Sequence, residues 1–130
     1  EFGAVLKQHD MDQIFLLAPT STDQRIQHVT NQASGFIYYV SLKGVTGAAT
    51  LDTAEAAARI QKIKNATNIP VGVGFGISDA ASAKAMGNVA DAVIVGSAFV
   101  KNFATLAADD AVEQTVSKVK ELRAALDELV

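Results

Sequence analysis

The chain has 130 residues, 49% hydrophobic and 19% charged, a balance that excludes disorder and supplies enough apolar material for one real core. Eleven Lys and Arg against fourteen Asp and Glu leave a net charge of −3, with no basic stripe for neutralising nucleic-acid phosphates. There is no cysteine, so disulfides, thiolate nucleophiles and cysteine–metal sites fall away, and the apolar runs are strand-sized, too short for a bilayer. A cytoplasmic protein without nucleic-acid or membrane partners is expected.

Residues 1–10 read as the tail of a helix, with Phe2, Val5 and Leu6 on one side. The run Ile14-Phe15-Leu16-Leu17-Ala18 has the continuous apolar character of a strand buried on both faces. Pro19 ends it, and Thr20, Ser21 or Thr22 can cap a helix over 23–32 with Ile26 and Val29 inward. Phe36-Ile37-Tyr38-Tyr39-Val40 makes the second strand, followed by the loop Ser41-Leu42-Lys43-Gly44-Val45-Thr46-Gly47.

Thr53 is expected to cap the next helix, which carries Ala57, Ile60 and Ile63 as its apolar stripe. Residues 71–74 form the third strand, and Ser78 or Asp79 caps an alanine-rich helix to about residue 88. Residues 92–95 form the fourth strand, with a short helical turn over 98–103. In the final helix Val112, Val116, Val119, Leu122, Leu126 and Leu129 recur at amphipathic spacing.

Apolar strands alternating with amphipathic helices predict an α/β fold of parallel (β/α) units joined by right-handed crossovers. Two architectures satisfy this, a doubly wound open sheet and part of a (β/α)8 barrel. A whole barrel needs about 200 residues or more. Four units over 1–130 make a single half-barrel domain.

Two glycine-bearing turns stand out: Gly74-Phe75-Gly76-Ile77-Ser78 after the third strand and Gly96-Ser97 after the fourth. Glycine at a strand-to-helix turn lets an anion approach bare N–H groups at a helix N-terminus. Barrels hold phosphate on their last two βα loops and a short extra helix, and these turns supply those parts in order. The plainer alternative is that Gly76 and Gly96 only ease tight turns. The dinucleotide fingerprint fails, because Asp79 stands where its last glycine belongs, and no Gly-Lys-Ser/Thr occurs.

The loop over 41–47, with two glycines, suits either a mobile lid or an ordinary connection. Tyr38 and Tyr39 must point to opposite faces of their strand, so only one can reach a ligand inside a barrel. His9 and His28 have no sequence neighbour to pair with and read as surface or packing residues. The acids cluster at helix starts and solvent faces. None stands at a strand's C-terminal end, where barrel catalysis needs one.

In order and spacing, Ile14-Phe15-Leu16-Leu17-Ala18-Pro19-Thr20-Ser21-Thr22, Gly35-Phe36-Ile37-Tyr38, Ser41-Leu42-Lys43-Gly44-Val45-Thr46-Gly47, Gly74-Phe75-Gly76-Ile77-Ser78 and Gly96-Ser97-Ala98 resemble the C-terminal half of the tryptophan synthase α subunit family. The resemblance covers essentially the whole chain. It implies the C-terminal half of a (β/α)8 TIM barrel, about strands 5 to 8, from an enzyme that cleaves indole-3-glycerol phosphate to indole and glyceraldehyde 3-phosphate. It also implies that Gly47, Gly76, Gly96 and Ser97 hold the substrate phosphate with Phe75 beside it, that Tyr38 lies next to the substrate, and that Thr46 supports the catalytic aspartate from the sixth loop. Many members carry arginine where this chain has Leu42.

The family's catalytic glutamate and aspartate come from strands that precede this stretch, so the catalytic pair is expected to be missing and the chain alone inactive. No cofactor is implied, because pyridoxal phosphate belongs to the partner β subunit of the α2β2 complex. An open half-barrel has two free strand edges, which predicts self-association. The competing readings are another phosphosugar-binding TIM-barrel enzyme and a non-catalytic half-barrel folding module. An aldolase would need a Schiff-base lysine at a strand end, and every lysine here falls in a loop or helix.

Overall fold

The computed structural model describes residues 2–41, 53–74 and 76–129. Its elements run α1 (Phe2–Gln8), β1 (Phe15–Leu17), α2 (Asp23–Gln32), β2 (Ile37–Val40), α3 (Thr53–Lys64), β3 (Val71–Gly74), α4 (Ala80–Gly87), β4 (Ala92–Ile94), α5 (Ser97–Thr105) and α6 (Ala108–Asp127). The four strands pair in parallel in the order β1-β2-β3-β4.

That order decides between the two architectures. A doubly wound sheet reverses its strand order at a switch point, whereas strands added in sequence through right-handed crossovers keep every helix on one face. Leu17, Ile37, Tyr39, Val71 and Val73 point to that face, each no more than 1% exposed. They pack into one cluster with Ile26 and Val29 of α2, Ile60 and Ile63 of α3, and Ala83 and Met86 of α4. Burying each large member contributes about 1.5–3 kcal/mol, which makes this layer the main source of stability.

The opposite face is concave and mostly apolar. Leu16 projects from β1 onto it and is 59% exposed. The apolar run at 14–18 therefore forms an edge strand with one open face, not a strand buried on both. On β2 and β3 the same face is filled differently. Phe36 and Ile94 bracket Gly72, and the Tyr38 ring covers Gly74, so both glycines are buried beneath larger neighbours.

Other departures from expectation have local causes. Thr53 is the first residue of α3 rather than a residue outside it. The turn over 98–103 is a nine-residue helix, tied to α6 by a 3.2 Å hydrogen bond from Asn102 Nδ2 to Thr115 Oγ1. The apolar stripe of α6 is buried only towards its C-terminal end. Leu122 is 5% exposed, whereas Val112, Val116 and Val119 are 53%, 47% and 46% exposed among the described residues.

Candidate phosphate-binding site

The register places the C-terminal ends of β2, β3 and β4 side by side, with Val40 opposite Gly74 and Gly74 opposite Ile94. Several contacts hold these ends in place. The N–H and hydroxyl of buried Ser41 both donate to the Gly74 carbonyl, at 3.0 and 2.9 Å, pinning the exit of β2 onto β3. At the other end, Asp91 and Val71 exchange N–H bonds: Asp91 N–H donates to the Val71 carbonyl, and Val71 N–H donates to Asp91 Oδ2, both at 2.9 Å. Asp91 Oδ1 also accepts from Lys64 Nζ at 2.7 Å. Partial burial pushes the Asp91 carboxyl pKa up, but the Lys64 and Val71 hydrogen bonds outweigh it and hold it below the ordinary value.

The two glycine turns leave neighbouring strands at this same end, yet they differ in kind. Gly76 has φ +78°, a left-handed conformation that favours glycine for backbone reasons alone. The helix that follows it, α4, is closed by a capping box. Asp79 Oδ1 accepts from Ser82 N–H at 2.8 Å, and Ser82 Oγ faces the Asp79 N–H at 3.3 Å. The Ser82 hydrogen bonds hold the Asp79 carboxyl below its usual pKa. Its negative charge therefore already occupies the positive end of α4.

Gly96 differs on each point. Its φ is −119°, outside the left-handed region, and a Cβ added there would meet no described atom within 4 Å. It stands at the N-cap of α5 with no side-chain cap, and its carbonyl accepts from Phe99 and Val100 N–H at 2.9 and 3.2 Å. The Ser97 and Ala98 N–H groups belong to the first turn, which has no acceptor within its own helix. Among the described residues, glycine at 96 is thus demanded neither by a left-handed conformation nor by a neighbouring atom. It leaves the N-terminus of α5 without a side-chain cap among those residues, the arrangement that suits an anion.

Of the residues singled out from sequence, Gly76 follows β3 and Gly96 and Ser97 follow β4, two strands that pair side by side. Tyr38, from β2, turns its hydroxyl towards the same end over Gly74. Tyr39 points the other way into the helix layer. Thr46, Gly47, Leu42 and Phe75 lie outside the described residues. His9 and His28 are exposed, and among the described residues no cluster of His, Asp or Glu could hold a metal ion. Gly72 and Gly74 also seat the aromatics Phe36 and Tyr38, a role not expected from sequence. Its signal was the shared two-residue spacing of Phe36/Tyr38 and Gly72/Gly74.

Comparison with known proteins decides the family. The family model for the tryptophan synthase alpha chain matches residues 1–130. The chain belongs to the tryptophan synthase alpha chain family. It is 92% identical over 130 residues to the tryptophan synthase alpha chain of Acinetobacter baumannii and 86% identical to that of Acinetobacter baylyi, covering 100% of this chain and 49% of each relative. The chain thus spans about half the length of the curated tryptophan synthase alpha chains it matches. Among solved structures, one from Aquifex aeolicus superposes with a TM-score of 0.80 at 33% identity, covering 95% of this chain and 44% of that one. A tryptophan synthase from Mycobacterium tuberculosis superposes with a TM-score of 0.79 at 30% identity, covering 96% of this chain and 44% of its own. The four strand–helix units are therefore half of a TIM barrel, and tryptophan synthase alpha chains carry the same half.

Proposed function

We propose that this chain is the phosphate-holding half of an enzyme subunit that cleaves indole-3-glycerol phosphate to indole and glyceraldehyde 3-phosphate in tryptophan biosynthesis. The carrying observation is Gly96, a glycine without a conformational or packing reason at an uncapped helix N-terminus. In this reading the substrate phosphate lies against the N–H groups of Ser97 and Ala98 and the turn at Gly76. Gly47 and Phe75 complete the cradle from the neighbouring loops. Backbone donors and the α5 dipole suit a phosphate here, because they supply partial positive charge without a cationic side chain.

Tyr38, half-buried on the concave face, borders the space where the rest of the substrate would extend, and Thr46 would support a catalytic carboxylate from its loop. The bond cleavage needs one acid to protonate the indole carbon and a second carboxylate to stabilise the resulting cation and accept a proton. Asp79 is the only carboxylate in the described segments that directly follow the strands, and it is committed to its cap. On the resemblance to the family, the catalytic pair is assigned to chain outside these 130 residues. By itself this chain binds the phosphate end and does not turn over. No cofactor is needed for this half of the chemistry, and the physiological partner is the tryptophan synthase β subunit, which carries pyridoxal phosphate.

The test is calorimetric binding of glycerol 3-phosphate and inorganic phosphate to the chain and to Gly96→Asp. Binding by the parent and not by the variant is the expected result. No binding by either leaves a folding module. Lyase activity that appears only when the N-terminal half of the Acinetobacter baumannii alpha chain is added supports the assignment of the acids, and activity from the chain alone overturns it.

A further inference from the structure

Ser41 lies just past β2, is 7% exposed, and directs two donors at one acceptor 33 residues away in the chain. Its backbone N–H and its hydroxyl both reach the Gly74 carbonyl, at 3.0 and 2.9 Å. A carbonyl oxygen has two lone pairs, so the last carbonyl of β3 cannot tilt without losing one of these bonds. The N–H bond already carries the parallel pairing one step beyond Val40 and Gly74. Strand pairing has no need of the hydroxyl as well.

The chain that leaves Gly74 does have a need. Two residues on, Gly76 takes φ +78°. Glycine visits positive and negative φ about equally, so nothing in Gly76 itself selects the sign. The selection has to come from what fixes the turn on either side. On the far side, Ile77 is 3% exposed in the core cluster, and Asp79 and Ser82 close the capping box of α4. On the near side the fixed point is the Gly74 carbonyl. That carbonyl belongs to a planar peptide unit, so holding it sets the plane from which the chain enters the turn.

We infer that Ser41 is a positioning residue for the turn at Gly76: its hydroxyl locks the Gly74 carbonyl and thereby the direction in which the Gly76 N–H is presented. Without the hydroxyl, β2 and β3 stay paired through the Ser41 N–H, but Gly76 is free to sample both signs of φ. The effect on ligand binding rests on the phosphate reading proposed above, whereas the effect on the turn does not.

The test joins these 130 residues to the remaining half of the Acinetobacter baumannii alpha chain, so that the whole barrel is present. Ser41→Ala removes the hydroxyl, Ser41→Thr keeps it, and Ser41→Cys keeps the size with a weaker donor. Nuclear magnetic resonance couplings between the Gly76 amide and its Hα protons report φ without any ligand, and calorimetry reports the Kd for glycerol 3-phosphate. In the alanine variant the couplings should move to the average of two conformers. Its Kd should rise about three- to tenfold, the size of one ordinary hydrogen bond. Threonine should keep the parent values, and cysteine should fall between. The cysteine variant preserves the packing, so it carries the same comparison if the alanine variant does not fold.

Unchanged couplings in the alanine variant would overturn the inference even if it melts earlier, because a merely structural serine lowers stability and leaves the turn alone. A threonine variant with the alanine couplings would overturn it too. So would moved couplings with an unchanged Kd in a parent that binds, since the phosphate would then lie away from Gly76. A parent that does not bind glycerol 3-phosphate removes the phosphate reading, and the couplings still decide whether Ser41 sets the turn.

Discussion

The hydroxyl of Tyr38 occupies the space that a side chain at Gly74 would need, one strand away on the concave face of the sheet. The next-nearest obstacle to a Cβ at that glycine is the ring Cζ of the same tyrosine at 2.7 Å, followed by Ile94 Cβ at 3.2 Å. Gly74→Ala must therefore push Tyr38 aside. We expect a cost of about 1–3 kcal/mol, the usual penalty for overpacking. Most of it should vanish in a Tyr38→Ala background, giving a clear coupling energy in a double-mutant cycle. Additive effects would show that the tyrosine does not depend on the glycine.

Gly96→Ala and Gly96→Asp separate shape from charge at the bare end of α5. The Cβ of either meets no described atom within 4 Å, so both should fold. The aspartate places a cap and a charge on the free N–H groups and should raise the thermal midpoint while abolishing glycerol 3-phosphate binding. The alanine should weaken binding without the gain in stability. Retained binding in the aspartate variant would move the site elsewhere.

Asp91 links the start of β3 to Lys64 and should matter more than its surface position suggests. Asp91→Ala leaves the buried Val71 N–H without its acceptor, an expected loss of about 1–3 kcal/mol at neutral pH, with the exposed Lys64 pair adding little. Because the folded-state pKa lies below the unfolded value, this contribution is complete above the ordinary carboxylate range and is lost as pH falls through the folded value. Urea melts of the parent and variant should therefore converge at low pH. A pH-independent gap would assign the loss to packing.

The Asp79 cap follows the same sign. Its carboxyl pKa is lowered by the Ser82 bonds, so its benefit is present at neutral pH and fades on acidification. Asp79→Ala should lower the thermal midpoint at pH 7, and Asp79→Ser, another good capping residue, should recover much of it. Equal midpoints for alanine and serine would mean that the box contributes nothing.

Tyr39 carries the opposite expectation. Its hydroxyl is buried with no hydrogen-bond partner among the described residues, and burial raises its pKa. Tyr39→Phe keeps the ring in the helix layer and removes an unsatisfied polar group. Denaturant unfolding should show a gain of about 1 kcal/mol. A loss would reveal a partner for the hydroxyl.

Much of this architecture was legible in the residues. α2 and β3 begin and end where capping residues and apolar runs place them, since caps, prolines and periodicity act over a few neighbouring positions. The opposed directions of Tyr38 and Tyr39 follow from strand geometry alone. The exposure of Leu16 and of the Val112–Val116–Val119 face was not legible, because an apolar residue carries no mark of whether a partner element lies against it. Nor could sequence distinguish Gly76 from Gly96, two glycines in similar turns.

What the sequence determined by itself was the order of strand and helix, their parallel pairing and the small residues at two strand ends, all set by local sterics and hydrophobic period. The tertiary structure alone decided that the helices share one face, and that one glycine serves backbone conformation while the other starts a helix with no side-chain cap. Those outcomes depend on which distant segments meet, and hydrophobic burial is non-directional until the strands have set the geometry.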